Sequence, residues 1–333
     1  MNSSFSVTKE QTTMIQCAPV VLFVYSRLEH TKRTIEALKR NKEATDTELY
    51  VFCDAPNPKA SNEELEEIYE THNYLKTLKK GFSQINLEIS QEHRGAGKAI
   101  IRGISIVLTE RGRCIILEND MEVSPLFLEY MNKCLEAYES DKKIYGIAST
   151  SYNFNLPRWY KKDLYLLTRT ESWGWATWSD RWKDVDWEVK DFAILSKSKS
   201  LQKAFNKGGN DLYYMLRDQM EGNTDTWDLQ WAWHVFKNHG YFVYSRYCFQ
   251  ENKGFDGSGR HCGSNDNIQN YFAPIYSNHR LELVCLPLKA SRIIINRFRN
   301  YHNKYISFIK EVTLIDKLVK KIHGIKRYLI KHE

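Results

Sequence analysis

Three groups of residues in this chain have the types and spacing to do chemistry. Glu118-Asn119-Asp120 closes a very apolar stretch, Cys114-Ile-Ile-Leu117, and puts two carboxylates and an amide at one point. Such a run is either a solvated turn or part of a ligand site. Asp225 and Asp228 stand among tryptophans in Asp225-Thr-Trp-Asp-Leu-Gln-Trp231. Apolar surroundings raise a carboxyl pKa toward working pH, which suits a general base. Asp228, flanked by Trp227 and Trp231, is the better candidate; its plain alternative is a helix-start carboxylate stabilised by the dipole. Arg94-Gly-Ala-Gly-Lys98 is a glycine-rich turn before a helical pattern. A helix N-terminus beside Lys98 would suit a diphosphate, though a simple turn reads equally well. Neither GxGxxG nor GxxxxGK[ST] is present, which disfavours a dinucleotide dehydrogenase and a P-loop phosphotransferase.

The elements that must position these groups alternate. Pro19–Tyr25, Leu49–Cys53, Ile85–Ile89 and Cys114–Leu117 read as strands. Between them lie helical patterns: Thr34, Ile35 and Leu38 on one face, then a helix from the capping box Ser61-Asn-Glu-Glu64 to Gly81, then Ala99–Leu108 stopped by Gly112. Ser124-Pro125 opens one more, with proline at the first helical position. This alternation predicts an α/β fold with parallel strands and right-handed crossovers. Ligands of such sheets lie beyond the carboxyl ends of the strands, where Ser26, Arg27, Asp54, His93 and the acidic run all fall.

Composition sets the outer limits. The 333 residues are 42% hydrophobic and 27% charged, ordinary for a globular chain. The longest apolar run is far short of a bilayer span and the N-terminus has no signal-peptide core, so the expectation is a soluble, unexported protein. Seven scattered cysteines without a CxxC pair argue against a disulfide framework or a structural zinc, and suit a reducing cytoplasm. From Lys289 onward there are 12 Lys and Arg against 3 acids, while the rest of the chain is nearly neutral. A nucleic-acid-binding body is disfavoured, and a basic tail that meets an anionic surface is expected. In that tail Ile315, Leu318, Val319, Ile322 and Leu329 share a helical face ringed by lysines. The pattern suits an anionic membrane interface, or else a solvated helix packed on the body. All nine tryptophans lie between Trp159 and Trp233. Some are core; others could stack on sugar faces.

Taken together, the opening strand and turn Val21–Thr31, the acidic cluster Ile115–Pro125, Glu171–Trp178, Asp225–Trp231 and Asn252–His261 resemble the GT-A nucleotide-sugar glycosyltransferases. The likeness is to bacterial family 2-type sugar transferases and to N-acetylglucosaminyltransferase I, and it covers residues 18 to 262. It implies a Rossmann-like nucleotide-sugar-binding half over residues 15–150, an acceptor-binding catalytic half over 151–287 and a basic helical tail over 288–333. On this resemblance Asp120 binds Mn2+ or Mg2+ bridging the donor phosphates, with His261 as a further ligand. Glu118 and Asn119 face the donor, while Ser26, Arg27, Asp54 and His93 hold base and ribose. Trp173, Trp175 and Trp227 contact acceptor or sugar, and Asp228, or else Asp225, is the base of an inverting transfer. Uridine is the implied base. The implied acceptor is a glycan or a lipid-linked sugar in surface polysaccharide synthesis, worked on at the inner face of the cytoplasmic membrane.

Physical chemistry agrees with that implication. A nucleoside diphosphate leaves only if its growing charge is stabilised, and the attacking hydroxyl needs a carboxylate to take its proton. A sugar nucleotidyltransferase and a non-catalytic carbohydrate-binding protein are the competing readings. The first would need a GxGxR-like loop after the first strand, and Tyr25-Ser-Arg-Leu-Glu-His30 has none.

Overall fold

The computed structural model describes residues 17–256 and 268–307. The chain opens with β1 (Val20–Val24), α1 (Leu28–Lys39), β2 (Glu48–Cys53), α2 (Asn62–Thr77), β3 (Gln84–Ile89), α3 (Ala96–Arg111) and β4 (Arg113–Glu118). β1 pairs in parallel with β2 and β4, and β2 with β3. The second half adds β5 (Met121–Val123), α4 (Phe127–Tyr138), β6 (Ile144–Ala148), β7 (Leu164–Leu167) and β8 (Trp175–Trp178). After the short α5 (Ser179–Trp182), α6 (Phe192–Lys197) and α7 (Lys199–Phe205) come α8 (Leu212–Met220), α9 (Asp228–Lys237), β9 (Tyr241–Ser245) and β10 (Gln250–Asn252). One eight-stranded sheet, in the order β3-β2-β1-β4-β8-β6-β9-β7, runs through both halves. The fold is the α/β class that the sequence predicts.

Alternation along β1 explains the layering. Val20, Leu22 and Val24 point into one core with Ile35 and Leu38 of α1 and Leu128 and Met131 of α4. Val21 and Phe23 point into the other, with Ile100, Ile104 and Val107 of α3 and Trp231 of α9. A strand buried on both faces carries a continuous apolar run, as β1 does. α3 lies so close that a Cβ on Gly103 would fall 2.6 Å from the Phe23 ring.

Local signals behave as their chemistry requires, with two shifts. Ser61 caps α2 by accepting from the Glu64 amide at 3.2 Å, and Gly112 ends α3 at φ 77°. α2 stops at Thr77, short of Gly81. The helix expected at Pro125 begins at Phe127, because Ser124 first closes a turn onto the Phe127 amide at 3.1 Å.

The charge boundary near 288 is not a structural one. Residues 292–307 form a helix whose Ile294, Ile295 and Phe298 are buried in the core that also holds Trp231. The lysine-ringed face from Ile315 to Leu329 lies outside the described residues.

Candidate active site

The turn after β1 is built to aim one arginine. Arg27 sits in the left-handed region at φ 66°, a conformation costing a non-glycine residue ~1–3 kcal/mol and sustained only where neighbours enforce it. Asn119 is the enforcer. Its Nδ2 donates to the Ser26 carbonyl at 2.6 Å and to Thr31 Oγ1 at 3.1 Å, and its Oδ1 accepts from Arg27 Nη2 at 3.0 Å. The sequence assigns Asn119 to the donor; the structure spends its amide inside the protein. Ser26 takes part through its backbone.

Arg27 Nη2 also lies 3.0 Å from Asp120 Oδ2. Two polar atoms of this pair, Arg27 Nη1 and Asp120 Oδ1, are buried without a hydrogen-bond partner. Unpaired buried polar atoms are costly and recur where a ligand completes the set. Above them the antiparallel β5–β10 ribbon brings Asn252 beside Met121. Lys253 donates its amide to the Asp120 carbonyl at 2.9 Å. Gly254 then passes so close that a Cβ there would stand 2.4 Å from Asp120 Oδ2. Glu118, at the end of β4, is pushed up to about 8 by burial and by the neighbouring Asp120 charge, with Arg27 opposing and Asp228 adding to the rise.

Asp228 opens α9 and its carboxylate accepts from the Thr226 hydroxyl. Burial raises its pKa above the ordinary carboxylate value despite that bond. Its charge also adds to the rise in the Glu118 pKa. Asp225 does something else. It is exposed, and a Cβ on Gly95 or Gly97 would lie 3.4 Å from its two oxygens, so it overhangs the opening of α3. Asp54 takes the Arg94 amide at 3.0 Å and the Gly95 amide at 2.9 Å, and contacts His93 Nδ1 at 2.9 Å. The α3 N-terminus, offered by the sequence as a diphosphate cradle beside Lys98, therefore already faces two carboxylates of the chain. Asp54 is a clamp on that turn. His93 stays half-buried, its ring 6.1 Å from that of Tyr25, and Lys98 is exposed.

The tryptophans divide by burial. Trp175 is wholly enclosed, with Trp227 stacked on it at 5.6 Å and itself only 6% exposed. Both belong to the core, where large indoles fill the space between β8 and α9, so neither offers a sugar a face. Trp173 alone of the three keeps open surface, edge-on to Phe255 and Phe272. His261 lies outside the described residues.

Sequence reasoning gave no role to Glu171, Arg169, Asp211 or His302. Glu171 is buried, accepting from the Ser172 and Trp173 amides and the Tyr152 hydroxyl. Arg169 grips Asp211 with both terminal nitrogens at 3.1 Å, and His302 reaches the same carboxylate at 2.9 Å from the 292–307 helix. These partners are separated by 42 and 91 positions, and no local pattern announces them.

Comparison with known proteins settles the kinship. The sequence pattern of the GNT-I family matches residues 2–190, more than half of the chain. The chain belongs to the GNT-I family. Over 189 residues it is 26% identical to an alpha-1,3-mannosyl-glycoprotein 2-beta-N-acetylglucosaminyltransferase of Arabidopsis thaliana, covering 51% of this chain and 41% of that protein. This GNT-I family chain thus matches less than half the length of that relative. Among solved structures it is similar to the mannosyltransferase PcManGT from Pyrobaculum calidifontis in complex with GDP-Man and Mn2+, at a TM-score of 0.33 and 14% identity over 50% of this chain and 46% of that one. A UDP-glucose pyrophosphorylase complexed with UDP-glucose gives 0.36 and 12% over 68% and 90%. Similarity at this level says nothing of substrate. Within the GNT-I match lie Arg27, Asn119, Asp120 and Glu171; Asp228, His302 and Gly254 lie beyond it.

Proposed function

We propose that this chain transfers a sugar from a nucleoside-diphosphate donor to a hydroxyl of a glycan or lipid-linked acceptor, with inversion at the anomeric carbon. The observation that carries the reading is the Arg27–Asp120 pair beside Glu118 at the carboxyl end of β4, each partner keeping a buried polar atom unpaired, with the Asp228 charge adding to the rise in the Glu118 pKa. Arg27 Nη1 is a free cationic donor for a phosphate oxygen, and Asp120 Oδ1 a free anionic acceptor. Among the described residues no group of three or more His, Cys, Asp or Glu side chains is placed to hold a metal. A divalent cation carried by one or two carboxylates and the donor's own phosphates needs no such group. The unpartnered Asp120 oxygen fits that arrangement, with Glu118 beside it. Such a cation, when bound, neutralises charge developing on the leaving diphosphate.

The chain's own groups supply the rest. Arg27 binds and orients the diphosphate, held in place by Asn119. Tyr25 and His93, at the ends of β1 and β3, flank the space for the base. Asp228 takes the proton of the attacking hydroxyl; burial raises its pKa, which makes it a stronger base than an exposed aspartate. Trp173 offers the acceptor sugar an apolar face. N-acetylglucosamine is the first donor sugar to try, by kinship with the Arabidopsis relative.

The test is release of nucleoside diphosphate from a panel of nucleotide sugars with manganese present, since transferases leak some hydrolysis without acceptor. Release from one donor supports the reading. Pyrophosphate formed instead from a sugar 1-phosphate and a nucleoside triphosphate would make the chain a nucleotidyltransferase, and inactivity on every donor would leave a carbohydrate-binding protein.

A further inference from the structure

The segment joining β6 to β7 carries a second feature that the transfer chemistry leaves unused. Two adjoining clefts of about 470 and 560 Å3 share Leu156, Pro157 and Arg158 as walls. Lys161 and Arg246 line the first; Trp159 and Arg297 line the second. Trp159 is 59% exposed, an unusual state for the largest apolar side chain. Ile293, one helical turn before Arg297, is 51% exposed.

The charge here is positive and uncompensated. Arg246 donates to the carbonyls of Lys162 at 2.9 Å and Tyr160 at 2.5 Å. Arg297 donates to the Asn155 carbonyl at 3.1 Å, and Lys162 to that of Pro287. Backbone carbonyls fix these cations in place but cancel none of their charge. Among the described residues no carboxylate forms an ion pair with Arg158, Lys161, Lys162, Arg246 or Arg297, and Asp163, the nearest acid in sequence, pairs with none of them. The combination of an exposed indole, an exposed aliphatic residue and fixed, unpaired cations matches what binds the headgroup layer of an anionic bilayer.

Topology says what such binding would accomplish. β1 and β4 are parallel, β8 runs against β4, and β6 and β9 run against β8. The carboxyl ends of β4, β6 and β9 therefore open on one edge of the sheet. The 149–163 segment leaves β6 and enters the antiparallel β7 on that edge, and Arg246 follows β9 there. Four strand spacings, ~20 Å, separate β4 from β7, and the patch adjoins β7 on the same rim as the acidic run. The 292–307 helix, which contributes Arg297, also leads into residues 308–333 with seven more Lys and Arg.

We infer that the Arg158–Trp159–Lys161 loop, with Arg246 and Arg297, is a docking surface for an anionic lipid bilayer, oriented so that the active rim faces the membrane. Its use in presenting a lipid-linked acceptor rests on the transferase reading above; the lipid binding itself does not.

The experiment is co-sedimentation of the full chain with phosphatidylcholine vesicles, with and without phosphatidylglycerol. Binding is expected only to the anionic vesicles. Arg158→Ala with Lys161→Ala should weaken it about 30-fold, roughly fivefold for each surface cation lost. Trp159→Ala should weaken it in the same direction. All three side chains are exposed, so the variants should melt as the parent does, and nucleotide-sugar hydrolysis, which reports the transferase reading separately, should not change. Equal binding by parent and double variant would overturn the inference. So would equal binding to neutral vesicles, or loss of binding on Lys320→Ala with Lys321→Ala while the loop variant binds normally.

Discussion

Arg27 and Asp120 form an ion pair at 3.0 Å in which each partner keeps one buried polar atom unpaired. A pair serving only stability would be expected to satisfy both ends, because each orphan forfeits ~1–3 kcal/mol. Here the unspent donor and acceptor are what a diphosphate and its counter-ion would use. Asp120→Asn keeps the shape and removes the charge. Nucleoside diphosphate release should fall ~10²–10³-fold, the usual loss when one preorganised charge-stabilising group is removed. The parent should lose activity in chelator and regain it with manganese; full activity in chelator would remove the metal from this account.

Asn119→Ala tests the turn rather than the chemistry. It deletes three hydrogen bonds around a left-handed arginine and leaves the Ser26 carbonyl unpaired, so stability should drop by ~2–3 kcal/mol. The donor KM should rise as Arg27 loses its aim. Asn119→Asp should do no better, since it cannot donate to Ser26 and Thr31. A variant with normal melting and normal KM would show that Arg27 holds its position unaided.

Asp228 makes the acid limb of the pH profile diagnostic. Burial raises its carboxyl pKa, so protonation, and loss of the base, begins at a higher pH than for an exposed aspartate near ~3.9. Turnover should therefore fall as pH drops, with an apparent pKa above that value. The limb should vanish in Asp228→Asn, which is already without a base. An unchanged acid limb in the variant would assign it to another group.

The buried Arg169–Asp211–His302 set predicts acid sensitivity of the fold. Burial would raise the Asp211 carboxyl, yet Arg169 and His302 hold it well below the usual range. Its contribution is present above the unfolded carboxyl pKa and lost as pH falls below it. His302 is lowered, chiefly by burial and then by Arg169. It fits as the neutral ring, donating from Nε2 to Asp211 and accepting from the Tyr271 hydroxyl at Nδ1. Unfolding then takes up a proton below pH ~6.5, so His302 also makes the fold less stable on acidification. Denaturant midpoints should decline from neutral pH downward. Asp211→Ala should cost ~3–5 kcal/mol by stranding buried Arg169 and should flatten the carboxyl part of that decline.

What was legible in the sequence follows the reach of each signal. β1, β2 and β4 announce themselves because a strand buried on both faces is apolar throughout, and Ser61 and Gly112 mark helix ends by local chemistry. The acidic run was visible as a place, but Asn119's role was not, because its partners Ser26 and Thr31 come from β1's turn, some 90 positions away. Trp173 and Trp175 look alike two positions apart, and strict alternation would put them on one face. Gly174, at φ 69°, breaks the strand before β8 begins, so Trp175 enters one core while Trp173 stays half open beside the other. Asp54 reads as a ligand group because the sequence cannot show that its carboxylate is taken up by the Arg94 and Gly95 amides. The helix over 292–307 was legible, but the burial of Ile294, Ile295 and Phe298 was not, because they sit in a stretch whose net charge reads as a solvated tail.

The measurement that bears most directly on the proposed mechanism is turnover by Asp228→Asn compared with its affinity for the donor. The substitution preserves volume and removes the proton acceptor. Transfer should fall ~10²–10⁴-fold, the span of general-base catalysis, while the donor's dissociation constant stays near that of the parent. Turnover close to the parent's, with donor affinity intact, would contradict Asp228 as the base; if Asp225→Asn then abolished transfer, the role would pass to the carboxylate over α3.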